Sequence, residues 1–136
     1  MLPYESRKVL IADNDENVLL ALEWTLENEG YDTVVALNSD EVMRILAQNP
    51  CDLLVLDDYL SEKNSAQVLA DFRHVEIRPI VVITYHRSPS LDTQRSLHAF
   101  GVSAFVSKQA HSELVHIIHY LLAPNAQYRD ALSSMT

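Results

Sequence analysis

The sequence predicts an α/β domain built on a doubly wound, five-stranded parallel sheet. Five short apolar runs recur along the 136 residues, and several are continuous rather than alternating. Continuous short runs are typical of strands buried on both faces of a parallel sheet. Segments with helical spacing lie between the runs, so strand and helix alternate five times in units of about 20 to 25 residues. The predicted strands are residues 9–12, 33–37, 53–56, 80–83 and 102–106.

Each predicted helix places apolar residues on one face, and several have a recognisable start or stop. The first helix is capped by Asp13 or Asp15 and ends before Gly30. The second opens with Ser39, and the fourth ends before Gly101. We expect both glycines to adopt the left-handed backbone conformation, which only glycine reaches at low cost. The predicted helices are residues 15–29, 39–48, 65–73, 90–100 and 112–122.

Composition and charge exclude several classes of protein. With 19 acidic and 10 basic residues the formal net charge is −9, which argues against nucleic acid or an anionic membrane as the main partner. Two distant glycines cannot form a phosphate-binding glycine loop, and the single Cys51 cannot form an internal disulfide. The N-terminus has no signal-peptide apolar region, and no apolar run approaches the roughly 20 residues of a membrane span. We therefore expect a cytoplasmic protein with no membrane contact.

Polar side chains follow four of the predicted strands. Residues 13–15 follow the first strand, 57–58 follow the third, Thr84 ends the fourth, and Lys108 comes soon after the fifth. Ligands of open parallel sheets bind at the carboxyl ends of the strands, so we expect these groups to converge at one edge. Clustered carboxylates repel each other, and a hard cation such as Mg²⁺ is their natural neutraliser.

Such a cluster is suited to phosphoryl transfer. A carboxylate near Mg²⁺ can attack phosphorus and form an aspartyl phosphate, and it needs no general base because it is ionised at pH 7. The transferring group spreads its charge over three oxygens. The cation, the Lys108 ammonium and the Thr84 hydroxyl can each bind one of them.

The ordered set of motifs resembles the receiver domain of two-component response regulators, as in chemotaxis receivers. Residues 8–15 resemble the opening strand with its acidic pair, and residues 52–57 resemble the phosphoacceptor strand. Residues 80–84 are similar to the strand that ends in the switch Thr or Ser. Residues 101–108 are similar to the block that holds the switch aromatic and the family's lysine.

The resemblance implies a flavodoxin-like fold, (βα)5, with strand order 2-1-3-4-5. It implies that Asp57 is the phosphoacceptor and that Thr84, Lys108 and Phe105 bind phosphate or act in the switch. The Mg²⁺ ligands that it implies are Asp13, Asn14, Asp57 and the backbone carbonyl of Tyr59, with Asp15 as a candidate helper.

The resemblance also implies an activity and partners. Asp57 accepts a phosphoryl group from a sensor histidine kinase or a phosphotransfer protein, and the domain is not otherwise an enzyme. The added charge of about −1.5 to −2 then remodels the face formed by helix 4, strand 5 and helix 5. An effector domain or a homodimer is a further candidate partner, and we expect no direct nucleic-acid contact by this domain. Residues 7–123 would be the receiver domain and residues 124–136 a tail or the start of a linker.

Several positions depart from the family's pattern. Asn14 stands where the family usually has a second metal-ligating Asp, so we expect weaker Mg²⁺ binding and slower phosphorylation. Tyr85 follows Thr84 where a small residue is general, and its ring can narrow access to Asp57 or bias the switch. The remaining departures are Ser61 for a usual Pro, Ser65 for a usual Gly, Gln109 for a common Pro and Phe100 for a small residue.

Three functional hypotheses remain open. A phosphorylatable receiver with altered kinetics is favoured, because Asp57, Thr84 and Lys108 are all present. A pseudo-receiver that keeps the fold and binds partners without phosphorylation is the alternative. A small phosphatase-like hydrolase is the third, because residues 13–15 resemble the D-x-D opening of haloacid dehalogenase-like enzymes. That family's second acidic pair follows its lysine, however, whereas residues 57–58 precede Lys108.

Overall fold

The computed structural model describes residues 7–60 and 62–123, which form an α/β domain with helices on both faces of a central sheet. The strands are β1 (Lys8–Ala12), β2 (Asp32–Ala36), β3 (Leu53–Asp57), β4 (Tyr59–Leu60), β5 (Lys63–Asn64), β6 (Ile80–Tyr85) and β7 (Val102–Ser107). The helices are α1 (Glu16–Asn28), α2 (Ser39–Gln48), α3 (Ser65–Ala70), α4 (Leu91–Ala99) and α5 (His111–Leu121). One turn of 3₁₀ helix, Asp71–His74, follows α3.

The five long strands form one parallel sheet in the order β2-β1-β3-β6-β7. Since β6 and β7 are the fourth and fifth long strands, the predicted flavodoxin-like order is confirmed. The short strands β4 and β5 pair with each other as a separate antiparallel ribbon, which the sequence pattern did not predict. Among the described residues, no helix is long and apolar enough to cross a bilayer.

Two apolar cores lie on the two faces of the sheet. Successive side chains of a strand point to opposite faces, so each buried strand contributes to both cores. Leu54 and Ile83 belong to the core under α2, α3 and α4. Val55 and Val82 belong to the core under α1 and α5. The central strand β3 is buried along its whole length, as its continuous apolar run predicts.

The helix starts show which of the candidate caps is used. Asp15 caps α1, with its side chain accepting a hydrogen bond from the Asn17 N–H at 2.9 Å. The cap of α2 is Asn38, which accepts from the Glu41 N–H, and Ser39 is the first helical residue. The third predicted helix is shorter than expected, because the chain tightens into the 3₁₀ turn after residue 70.

The segment between β3 and α3 forms a short antiparallel ribbon. Tyr59 pairs with Asn64 and Leu60 with Lys63 in the β4–β5 ribbon. Leu60 is fully buried, which anchors the ribbon to the core. Two of the sequence expectations, Ser61 and the tail 124–136, lie outside the described residues.

A polar contact joins α5 to the C-terminal end of α1. His119 of α5 makes this contact with both of its ring nitrogens. One ring nitrogen, Nδ1, hydrogen-bonds the Tyr31 hydroxyl, and the other, Nε2, lies 3.1 Å from a Glu29 carboxylate oxygen. The three side chains come from α5 and from the turn between α1 and β2, so they join segments that are distant in the sequence.

Replacing either glycine with alanine should destabilise the domain by about 1 kcal/mol, because both residues adopt the left-handed conformation. The φ angles are +94° at Gly30 and +98° at Gly101, and an added Cβ would meet no atom within 4 Å. The penalty is therefore one of backbone conformation alone. Urea unfolding of Gly30→Ala and Gly101→Ala measures it. Gly101→Asn should cost less, and an unchanged midpoint in both alanine variants would contradict the account.

Candidate functional site

Four predicted site residues meet at the carboxyl end of the central strands. Asp13 follows β1, Asp57 ends β3, Thr84 lies near the end of β6, and Lys108 follows β7. Asp57 and Thr84 are direct register partners on neighbouring strands. All four side chains are buried, with exposed fractions below a tenth.

The Lys108 ammonium bridges the two carboxylates. Its Nζ lies 2.7 Å from Asp13 Oδ2 and 2.8 Å from Asp57 Oδ2. The backbone N–H of Lys108 donates to the Tyr85 carbonyl at 2.9 Å, which fixes where its side chain starts. One ammonium faces two carboxylates, so the buried group of three carries one net negative charge when all are ionised.

Burial and this unequal sharing together explain the direction of both pKa shifts. Burial raises the pKa of Asp57, the charge of Asp13 adds to the rise, and the Lys108 ammonium and the Tyr59 N–H offset it only in part. Burial alone would lower the pKa of Lys108, but hydrogen bonds and charge from both carboxylates outweigh it and raise that pKa above its ordinary value. The lysine has two anionic partners, whereas the two carboxylates share one cation.

The two carboxylates differ in how firmly they are held. Asp13 Oδ1 accepts a hydrogen bond from the Asp15 N–H at 2.9 Å, and the Asp13 N–H donates to the Ala36 carbonyl. Asp57 Oδ1 has only a long contact, 3.4 Å, to the Tyr59 N–H. Asp57 Oδ1 is therefore the less firmly held of these two Oδ1 atoms.

Three predicted site residues lie at the margin of this cluster or outside it. Asn14 is exposed in the bend between β1 and α1. The Asp15 side chain caps α1, so a role as helper would compete with its cap hydrogen bond. Phe105 is half-buried and packs against the core under α4, on the opposite face of the sheet from α1 and α5.

No sequence pattern assigns a contact to Asp58, which lies next to Asp57 at this edge of the sheet. Asp58 is half-buried, and its Oδ1 accepts a hydrogen bond from the Ser65 hydroxyl at 3.0 Å. Its backbone N–H donates to the Thr84 carbonyl at 2.8 Å, and its carbonyl accepts from the Ser65 N–H. Asp58 therefore joins the loop after β3 both to β6 and to the start of α3. A serine seven residues away is no recognisable sequence signal for this contact.

The oxygen donors at this edge suit a hard cation. Asp13 and Asp57 place carboxylate oxygens around one ammonium, so a divalent ion would meet two anionic ligands there. The described residues contain no group of three His, Cys, Asp or Glu side chains that could hold a metal ion. Asp13 and Asp57 therefore fit Mg²⁺, although the ion would have only these two carboxylate ligands among the described residues.

The sequence pattern of the response regulator receiver domain matches residues 9–119. The chain belongs to this family. Its members are receiver modules of two-component signalling rather than enzymes in the usual sense. The family match covers the strands and helices from β1 to α5 that build the site.

Several curated relatives are transcriptional regulators. The transcriptional regulatory protein CpxR of Escherichia coli is 29% identical over 116 residues, which cover 85% of this chain and 49% of CpxR. The alkaline phosphatase synthesis regulator PhoP of Bacillus subtilis is 29% identical over 80 residues, or 58% of this chain and 33% of PhoP. The chain thus spans half or less of the length of these relatives.

Solved receiver structures share the fold. A CheY-like receiver domain from Methanospirillum hungatei has a TM-score of 0.77 at 18% identity, covering 97% of this chain and all of that one. The response regulator TrrA from Thermotoga maritima, solved in complex with Mg²⁺ and BeF, has a TM-score of 0.73 at 21% identity, covering 85% of this chain and 99% of TrrA.

Replacing Lys108 with methionine should lower the free energy of unfolding by about 3 kcal/mol, because two buried carboxylates then face each other without a cation. Urea unfolding in metal-free buffer measures the loss. Lys63→Met is the matched control, since the Lys63–Asp71 pair is partly exposed to solvent and should contribute less than about 1 kcal/mol. Equal effects of the two substitutions would contradict the buried-pair account.

Asp57→Asn should stabilise the metal-free protein, because it leaves a one-to-one pair of Asp13 with Lys108 and removes a buried charge. We expect a higher thermal midpoint than wild type in EDTA. Millimolar Mg²⁺ should narrow the difference, since it binds the wild-type carboxylates better. A lower midpoint for the variant in EDTA would show that the native cluster is not short of positive charge.

Proposed function

We propose that this chain is a working receiver that accepts a phosphoryl group on Asp57. The observation that carries the proposal is the contact of the Lys108 ammonium with Asp57, 2.8 Å long, beside the register partner Thr84. A carboxylate, an ammonium and a hydroxyl thus come together at the end of neighbouring strands. These are the groups needed to attack phosphorus and to bind two of its oxygens.

In the proposed reaction an Asp57 oxygen forms a bond to the phosphorus of a phosphohistidine, and the phosphorus–nitrogen bond of the donor breaks. The donor imidazole leaves with the electron pair of that bond and takes up a proton. Lys108 keeps its place beside Asp57 and binds one phosphoryl oxygen, while the Thr84 hydroxyl donates to another. The donor is a sensor histidine kinase or a phosphotransfer protein, and the reaction takes place in the cytoplasm.

Asp13 and Asp57 would hold Mg²⁺, with the Asn14 amide oxygen and the Tyr59 backbone carbonyl as uncharged ligands. When bound, the ion supplies positive charge against the phosphoryl oxygens. Because Asn14 is neutral, we expect weak binding of the ion. Asp13, held by its backbone contacts, orients the site on the β1 side.

Phosphorylation would change the face formed by α4, β7 and α5. Thr84 moves toward the phosphoryl group, and Phe105 leaves its half-buried position and turns inward. The added negative charge is the local driving event. The remodelled face would bind an effector domain or a second copy of the chain, and we propose no direct contact of this domain with nucleic acid.

A phosphorylation assay tests the proposal directly. The full chain is incubated with Mg²⁺ and acetyl phosphate, and intact mass spectrometry should find one base-labile phosphoryl adduct. Asp57→Asn should lose the adduct. Asp58→Asn is the matched control and should keep it, because Asp58 is engaged with Ser65 rather than with the ammonium. An adduct that survives Asp57→Asn would refute the assignment.

The pseudo-receiver is the second candidate, and one observation favours it. The Lys108 ammonium already contacts both carboxylates, Asp13 and Asp57. Mg²⁺ would have to compete with this ammonium for them, and the neutral Asn14 weakens the binding of the ion. A pseudo-receiver would give no adduct and would bind no beryllofluoride. Hydrolysis of a phosphate ester that depends on Asp13 would instead point to the phosphatase-like hypothesis.

Asn14→Asp should tighten Mg²⁺ binding, since it adds a carboxylate next to Asp13. Titration calorimetry of the metal-free protein measures the change. Asn28→Asp adds the same charge at the other end of α1 and controls for net charge, so it should leave the affinity nearly unchanged. Equal affinities of Asn14→Asp and wild type would remove Asn14 from the metal site.

A further inference from the structure

A histidine on α4 is fixed against the first residue of β7. His98 lies in the last turn of α4, and its Nδ1 is 2.7 Å from the Val102 carbonyl oxygen. A carbonyl can only accept a hydrogen bond, so Nδ1 carries the hydrogen and donates it. This contact spans Gly101 and fixes both the position of the imidazole and the choice of Nδ1 as the nitrogen that donates.

The fixed imidazole contacts the Phe105 ring. The two ring centroids are 5.3 Å apart and the ring planes meet at 85°, an edge-to-face arrangement. This is one of the favoured geometries of aromatic pairs. Phe105 also packs against the core under α4, so its ring lies between that core and His98.

His98 is not needed to hold α4 on the domain. The neighbouring Leu97 is buried to 99% and provides the core contact of the helix. His98 itself is exposed, and among the described residues its ring contacts Val102 and Phe105. The contact therefore acts on the position of one ring rather than on the attachment of the helix.

We propose that His98 is a positioning residue that holds Phe105 in its resting place in the unphosphorylated protein. The inference rests on the proposed switch role of Phe105. When Phe105 turns inward, it loses the edge-to-face contact, so this contact favours the resting state. Because His98 is on α4 and Phe105 is on β7, the same movement removes one contact between α4 and β7, while the hydrogen bond from His98 to the Val102 carbonyl remains.

Loss of the contact should shift the resting equilibrium toward the active position by about two- to tenfold, the range expected for one aromatic pair. The rate of phosphorylation of His98→Ala by a small phosphodonor should rise by up to the same factor, because the state with Phe105 turned inward is more populated. His98→Phe should keep part of the ring contact without the Val102 hydrogen bond. His98→Gln should keep a donor without the ring and behave like His98→Ala.

Fluorine NMR of the full chain labelled with 4-fluorophenylalanine provides the readout. The chain has three phenylalanines, and Phe72→Leu and Phe100→Leu assign the Phe105 signal by elimination. In metal-free buffer, the Phe105 signal of His98→Ala should move part of the way toward its position in wild type with Mg²⁺ and beryllofluoride. Ser96→Ala, an exposed substitution on the same helix, should leave it in place.

The outcomes separate this inference from the proposed function. A wild-type Phe105 signal that beryllofluoride does not move overturns the switch itself, and the His98 role with it. A normal beryllofluoride response with an unshifted signal in both His98→Ala and His98→Gln overturns only the His98 role. A partial shift in both, with less in His98→Phe, supports it, and urea unfolding of His98→Gln checks that the fold is kept.

Discussion

The shared ammonium of Lys108 is the interaction on which the site depends. It joins three strand ends that are far apart in the sequence, because Asp13 follows β1, Asp57 ends β3 and Lys108 follows β7. Two buried carboxylates would repel each other without it. With Lys108 present the cluster still carries one net negative charge, and this charge makes the site suited to a cation.

The register of the sheet separates the site from the proposed switch aromatic. Thr84 pairs with Val106, and Ile83 pairs with Phe105, so Thr84 and Phe105 lie on alternating sides of the sheet. Val106 belongs to the core under α1 and α5, whereas Phe105 packs on the core under α4. In the proposed switch, a change at Asp57 would therefore have to reach the other face through β6 and β7, where Phe105 contacts His98.

The loop after β3 is held in place by side-chain contacts as well as by backbone hydrogen bonds. Ser65 donates its hydroxyl and its N–H to Asp58, and the Asp58 N–H in turn donates to the Thr84 carbonyl. Asn64 and Gln67 form a capping box that starts α3 at the same place. The loop is thereby hydrogen-bonded to β6, so a movement of the Thr84 backbone would also displace the loop next to Asp57.

The sequence by itself determined the five strands of the parallel sheet, their order through the family resemblance, and the meeting of Asp13, Asp57, Thr84 and Lys108. Continuous apolar runs require burial on both faces, and parallel strands bring their carboxyl ends to one edge. Only the tertiary structure decided that Lys108 contacts both carboxylates and that the Asp15 side chain caps α1. It also decided which residues His98 and His119 contact. His119 bonds a tyrosine 88 residues away. Such contacts depend on strand register and helix packing, which leave no local pattern in the chain.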